Sequence, residues 1–182
     1  MRSWFFLLFS MACSAGYHTD NGKEALDTHD LAGAEASYRT ALSRDPAHAP
    51  ALAGLGWTYL LAGEVEAASG AFERCSEVAP ESTECLRGRA SVASSTGNSA
   101  RALTLLEQAV GLDPYDAGVL SSQALLELAQ GKLPAADARY SQLIARFPDK
   151  AEYRLGLAEV RIRQDRETEA VEEVEAGLAC RD

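Results

Sequence analysis

The side chains able to ligate, attack or cross-link are few: four cysteines and three histidines among 182 residues. His18, His29 and His48 are scattered, and no two of them share the spacing that puts paired ligands on one helix face. No metal site and no cofactor are expected. The chain has no nucleophile elbow, no phosphate-cradling glycine loop and no Cys/His set in register. The expectation is therefore a protein that is not an enzyme and has no small-molecule substrate. Cys13, Cys75, Cys85 and Cys180 remain, and their meaning depends on the elements that carry them.

Those elements are marked by proline. Pro46, Pro80, Pro114 and Pro148 recur at one constant interval. It is the period, roughly 34 residues, that marks stacked helix pairs. Twelve residues before each successive register lie Ala34, Ala68, Ala102, Ala136 and Ala170, and eight before lie the bulky Tyr38, Phe72, Leu106, Tyr140 and Val174. Small residues recur further upstream in each unit, as Gly22, Gly56, Ala90, Ala124 and Ala158. Two antiparallel helices approach closely only where a side chain has little volume, and the bulky residue fills the space between successive pairs. Each proline cannot donate the bond that would continue a helix, so it opens the loop after a pair. Gly63, Gly97 and Gly131 supply the tight turn inside a pair, and Pro134 suits a first helical turn. Phe72 and Tyr140 are expected in the core.

The run Leu52-x-x-Leu55-Gly56-x-x-Tyr59, followed by Ala68, Phe72 and Pro80, resembles the tetratricopeptide repeat family. The resemblance implies an all-α, right-handed α-solenoid of antiparallel helix pairs over residues 22–182, in units of about 22–48, 49–82, 83–116, 117–150 and 151–182. Departures occur where Ala25, Ala93, Glu127 and Arg161 replace the family's aromatic residue, and where Asn21, Arg89 and Gln123 replace its leucine. The resemblance further implies a concave groove, lined by the first helix of each pair, that accepts a segment of a partner protein. Its lining would be Ala53, Trp57, Leu60 and Leu61 in the second pair, and Arg87, Ser91 and Ser94 in the third. Ser121, Leu125 and Leu128 follow in the fourth pair, with Leu155 and Glu159 in the fifth. Trp57 reads either as the aromatic anchor of that groove or as packing against the neighbouring pair. The Lys/Asn/Arg clamp with which some members hold a C-terminal carboxylate is absent from these positions.

The N-terminus differs in kind. Met1-Arg2-Ser3 is a short cationic start and Trp4 to Met11 an apolar run, too short to span a bilayer and expected to be a signal peptide over residues 1–12. Phe9-Ser10-Met11-Ala12-Cys13 is similar to a bacterial lipoprotein processing site, which implies lipidation at Cys13 and a lipidated tether over residues 13–21. Ordinary cleavage near Ala12 or Ala15, or no processing, are the alternatives. With Ser14 after the cysteine, the same likeness implies the bacterial cell envelope and the outer membrane, facing the periplasm.

With 27 acidic against 17 basic residues the formal net charge is −10, so nucleic acid is not an expected partner. Cys75 and Cys85 lie five residues either side of Pro80, at the same end of successive helices. They read as a possible disulfide in an exported protein or as two small packing residues. The stretch Glu84 to Ser95 has little apolar periodicity and contains Gly88, and is expected to be the least stable. The functional expectation is a protein–protein interaction scaffold anchored to a membrane by an N-terminal lipid, in assembly of a pilus or envelope complex. The alternative is a soluble exported or cytosolic scaffold without the anchor.

Overall fold

The computed structural model describes the backbone of residues 2–180 and the side chains of residues 15–180. Among them there are ten helices and no strand. They are α1 (Arg2–Asp27), α2 (Leu31–Arg44), α3 (Ala49–Leu61), α4 (Val65–Val78), α5 (Thr83–Ser95), α6 (Ser99–Leu112), α7 (Ala117–Ala129), α8 (Leu133–Arg146), α9 (Ala151–Arg163) and α10 (Glu167–Ala179). The fold is an all-α solenoid. Cys13 and the signal-peptide residues lie outside the described side chains. The stretch 13–21, expected as a tether, has helical backbone continuous with the rest of α1, and Ala15 is fully buried. No described helix is long and apolar enough to cross a membrane.

Turn chemistry explains where the helices stop. Gly63, Gly97 and Gly131 take φ of +79°, +78° and +72°, a left-handed conformation that glycine adopts without a Cβ penalty. The same register is occupied by His29 at φ 60° and Asp165 at φ 59°. Helices start on side-chain caps where the sequence offers one. Asp30 accepts from the Gly33 N–H, Ser82 from the Cys85 N–H, and Asp116 from the Val119 N–H.

The chain forms two compact units, one ending at Asn98 and the other beginning at Ser99. In the first, α1 to α5 pack in sequence, and α3 also meets α1 and α5. Its core holds Ala34, Tyr38, Leu52, Leu55, Ala68, Phe72 and Cys75. In the second, α6 to α10 pack in sequence and α7 also meets α9, with a core cluster of Leu120, Ala124, Leu128, Tyr140, Leu143, Tyr153, Leu157 and Val160 from α7, α8 and α9.

One steric device recurs in both. The Tyr38 ring lies against Gly22 and Gly54, the Phe72 ring against Gly56 and Gly88, and the Tyr140 ring against Gly156. A Cβ at any of these glycines would overlap the ring. Each ring thus fills the space a side chain would take, and the next helix closes over it. Gly88, noted above for its low helix propensity, is buried and is what lets α5 seat on Phe72. Burial raises the phenol pKa of both Tyr38 and Tyr140 to about 12, with nearby carboxylates adding to the shift.

Candidate protein-binding surface

In the first unit the expected surface residues belong to α3 and α5. Trp57 is half-buried on α3, its indole edge-to-face with Phe72 at 5.1 Å between centroids. Its Nε1–H donates to Glu84 on α5, and the Arg87 guanidinium lies 4.2 Å over its ring. Arg87 is in turn fixed by two bonds to the Glu84 carboxylate, Nη2–H to Oε1 at 2.6 Å and Nε–H to Oε2 at 3.3 Å. Packing and surface are thus combined at Trp57: one side of the indole seals the Phe72 ring, and the other carries a cation. Glu84 is the member that reading one helix at a time misses, because it reaches Trp57 from the neighbouring helix. Around this cluster Leu60 and Ser91 are partly buried, while Leu61 and Ser94 are exposed. Ala53 is 3% exposed and belongs to the core, so it cannot touch a partner. A helical face drawn as wide as i to i+8 includes positions that curve under the neighbouring helix.

The same correction applies to Leu128 in the second unit, which is 3% exposed and packs with Tyr140 and Leu157. Ser121 is partly buried on α7, and Leu125 is exposed. On α9, Leu155 and Glu159 are exposed. Arg163 ties the two helices, donating to the Leu128 carbonyl at 3.3 Å and to Glu159 at 2.7 Å. The second unit therefore presents exposed leucines and an Arg–Glu pair on its first helices, as the first presents Leu61 on α3 and the Arg87–Glu84 pair on α5.

Cys75 and Cys85 are joined in a disulfide between α4 and α5, with Cα atoms 5.5 Å apart. That separation is the common one for such a bridge. Cys180 carries a free thiol. No group of three or more His, Cys, Asp or Glu side chains able to hold a metal is present among the described residues. Sequence reading also missed a cleft of about 490 Å³ between α2, α3 and α4, floored by Leu42, Leu55 and Ala71 and edged by Arg39, Tyr59 and Arg74.

Two tetratricopeptide repeat models match the chain, over residues 25–92 and 122–182. The chain belongs to the tetratricopeptide repeat family. Among solved structures it is similar to the thermophilic repeat protein TTC0263 of Thermus thermophilus, at 21% identity, covering 91% of this chain and 90% of that one with a TM-score of 0.82. It is also similar to pilF of Pseudomonas aeruginosa, at 16% identity over 94% of this chain and 78% of that one, TM-score 0.71. A third likeness is to YrrB, a repeat protein described as having an unusual peptide-binding site, at 19% identity over 90% and 84% of the two chains, TM-score 0.56. Among curated proteins none is similar enough to match.

Proposed function

We propose that this chain is a non-enzymatic scaffold that binds protein segments on the first-helix faces of its repeats. The observation that carries the reading is the set of large apolar side chains left in solvent on those faces, Leu61 in one unit and Leu125 and Leu155 in the other, each exposed by about half or more. The same set of first helices carries charged pairs that can orient a peptide backbone, Arg87–Glu84 on α5 and Arg163–Glu159 on α9. The YrrB likeness supports peptide capture on this fold. The proposed setting is the periplasmic face of the bacterial outer membrane, with Cys13 lipidated and the protein serving pilus or envelope assembly. The apolar leader before Cys13, the disulfide, which persists in oxidising compartments, and the pilF likeness support that setting.

Leu61→Glu is the variant to test, since Leu61 is 61% exposed and its loss leaves the core intact. Trp57→Ala would confound binding with the support Trp57 gives Phe72. A photo-crosslinker placed at Leu61 or Leu125 in the native host should give discrete adducts, while one at the exposed Thr104 should not, and Leu61→Glu in the chain without a crosslinker should weaken recovery of the partner so captured. Equal adducts at all three sites would reject the face. Detergent-phase partitioning that is unchanged by Cys13→Ser would reject the anchor separately.

A further inference from the structure

The pair α9–α10 presents a face whose counterpart, one repeat earlier, is buried inside the second unit. Ile162, Ala170, Val174 and Leu178 stand in register with Leu128, Ala136, Tyr140 and Ile144. Those earlier residues are covered by Tyr153, Leu157 and Val160 of α9, spaced i, i+4, i+7. On α9–α10 the corresponding cover is missing among the described residues. Ile162, Val171 and Leu178 are 56%, 56% and 57% exposed. A cleft of about 410 Å³ opens between Ile162, Glu167, Ala170, Val171, Val174 and Glu175. The fold itself thus shows what shape of object fits this surface: one α-helix laid along α10 as α9 lies along α8.

Volume and charge narrow the occupant. Where Tyr140 projects a ring into the glycine of the next helix, Val174 is short and leaves a hollow. The helix that fits must therefore carry a large apolar side chain where α9 carries Gly156. The rim is anionic. Glu169 is held by Arg166, and Glu173 by Arg154 and Arg161, whereas Glu167, Glu172 and Glu175 have no ion-pair partner among the described residues. A second copy of the chain would set the same carboxylates against each other, which disfavours self-association through this face.

We infer that the exposed α9–α10 face docks an amphipathic helix of a partner protein, with lysine or arginine flanking its apolar stripe and one bulky side chain seated over Val174. This surface is separate from the first-helix faces proposed above and does not depend on them.

The probe is a labelled, end-blocked peptide of the α9 sequence, residues 151–163, carrying Gly156→Leu, Glu152→Lys and Glu159→Lys. The leucine also prevents the peptide from replacing α9 itself, because it would overlap the Tyr140 ring. Fluorescence anisotropy against the full chain should show saturable binding that weakens with added salt. Binding should fall at least about tenfold on Val171→Glu, whose circular dichroism should match wild type because the side chain is exposed. A peptide retaining Gly156, or one with glutamate in place of both lysines, should bind more weakly. Absence of saturation at millimolar peptide overturns the inference, as does equal binding to Val171→Glu. Sedimentation showing a dimer that Val171→Glu dissolves also overturns it, since the occupant would then be a second copy.

Discussion

The seam between α4 and α5 and the seam between α8 and α9 use the same lock, and the units that contain them add opposite chemistry. In both, an aromatic ring on the second helix of a pair seats against a glycine on the next helix, Phe72 on Gly88 and Tyr140 on Gly156. In the first unit the reinforcement is covalent and aromatic: the Cys75–Cys85 bridge, and Trp57 set between Phe72 and Arg87. In the second unit it is ionic, and it ties the helices around the α8–α9 seam rather than joining α8 to α9 directly. Arg166 bonds Asp137 of α8 at 3.0 Å, Arg139 of α8 bonds Glu127 of α7, and Glu173 of α10 accepts from both Arg154 and Arg161 of α9. The repeat thus specifies the steric lock, and each unit adds whichever bonds its local sequence provides.

Breaking the lock should have the largest effect. Phe72→Ala should cost about 3–5 kcal/mol, because a fully buried ring leaves a cavity walled by helix backbone at Gly56 and Gly88. Chemical denaturation measures it; a loss under about 1 kcal/mol would mean the helices collapse onto the gap and the ring is not the lock.

Next comes the bridge. The cysteines are 10 residues apart, and closing a loop of that size is worth about 2.5–3 kcal/mol by chain entropy. Reduction should speed amide exchange in α4 and α5 and leave α8 to α10 unchanged. Exchange that rises equally in both units would contradict independent reinforcement.

The ionic ties should break more gently. Glu173→Gln removes the negative charge and one of the two acceptor oxygens shared by Arg154 and Arg161, whose side chains are only 21% and 15% exposed, for a cost of about 2 kcal/mol. The same substitution should quicken exchange in α9 and α10 while α4 and α5 keep their rates. No change in α9–α10 would show that solvent replaces Glu173 without loss.

Much of this was legible in the chain. The proline period gives the pairs, and the glycines at a fixed offset before the prolines give the turns. The lock was half visible, in Tyr38, Phe72 and Tyr140. Its other half, Gly54, Gly88 and Gly156, recurs at the same position of its repeat, with Ser122 in the place opposite the smaller Leu106. Read by helix propensity alone, Gly88 looks like a defect; only the ring in the adjacent helix reveals its purpose. The Trp57–Glu84–Arg87 cluster was hidden for a related reason, since its members come from different helices and spacing along one helix cannot join them. Ala53 and Leu128 were misplaced by drawing the exposed face too wide.

The smallest expected effect concerns the turns rather than the seams. Gly131 and Asp165 occupy the same register of successive pairs in the second unit, at φ 72° and 59°. An L-residue in that conformation is strained by about 1–2 kcal/mol, less for aspartate, whose side chain bonds locally. Glycine removes the strain but loses about 0.4–1 kcal/mol through the freer unfolded chain. The balance favours Asp165→Gly by about 0.5 kcal/mol, read as a small rise in midpoint, whereas Gly131→Ala should lower it by about 1 kcal/mol. Should Asp165→Gly destabilise instead, the carboxylate contributes to the turn itself, and the ionic character of the second unit extends from its seams into its turns.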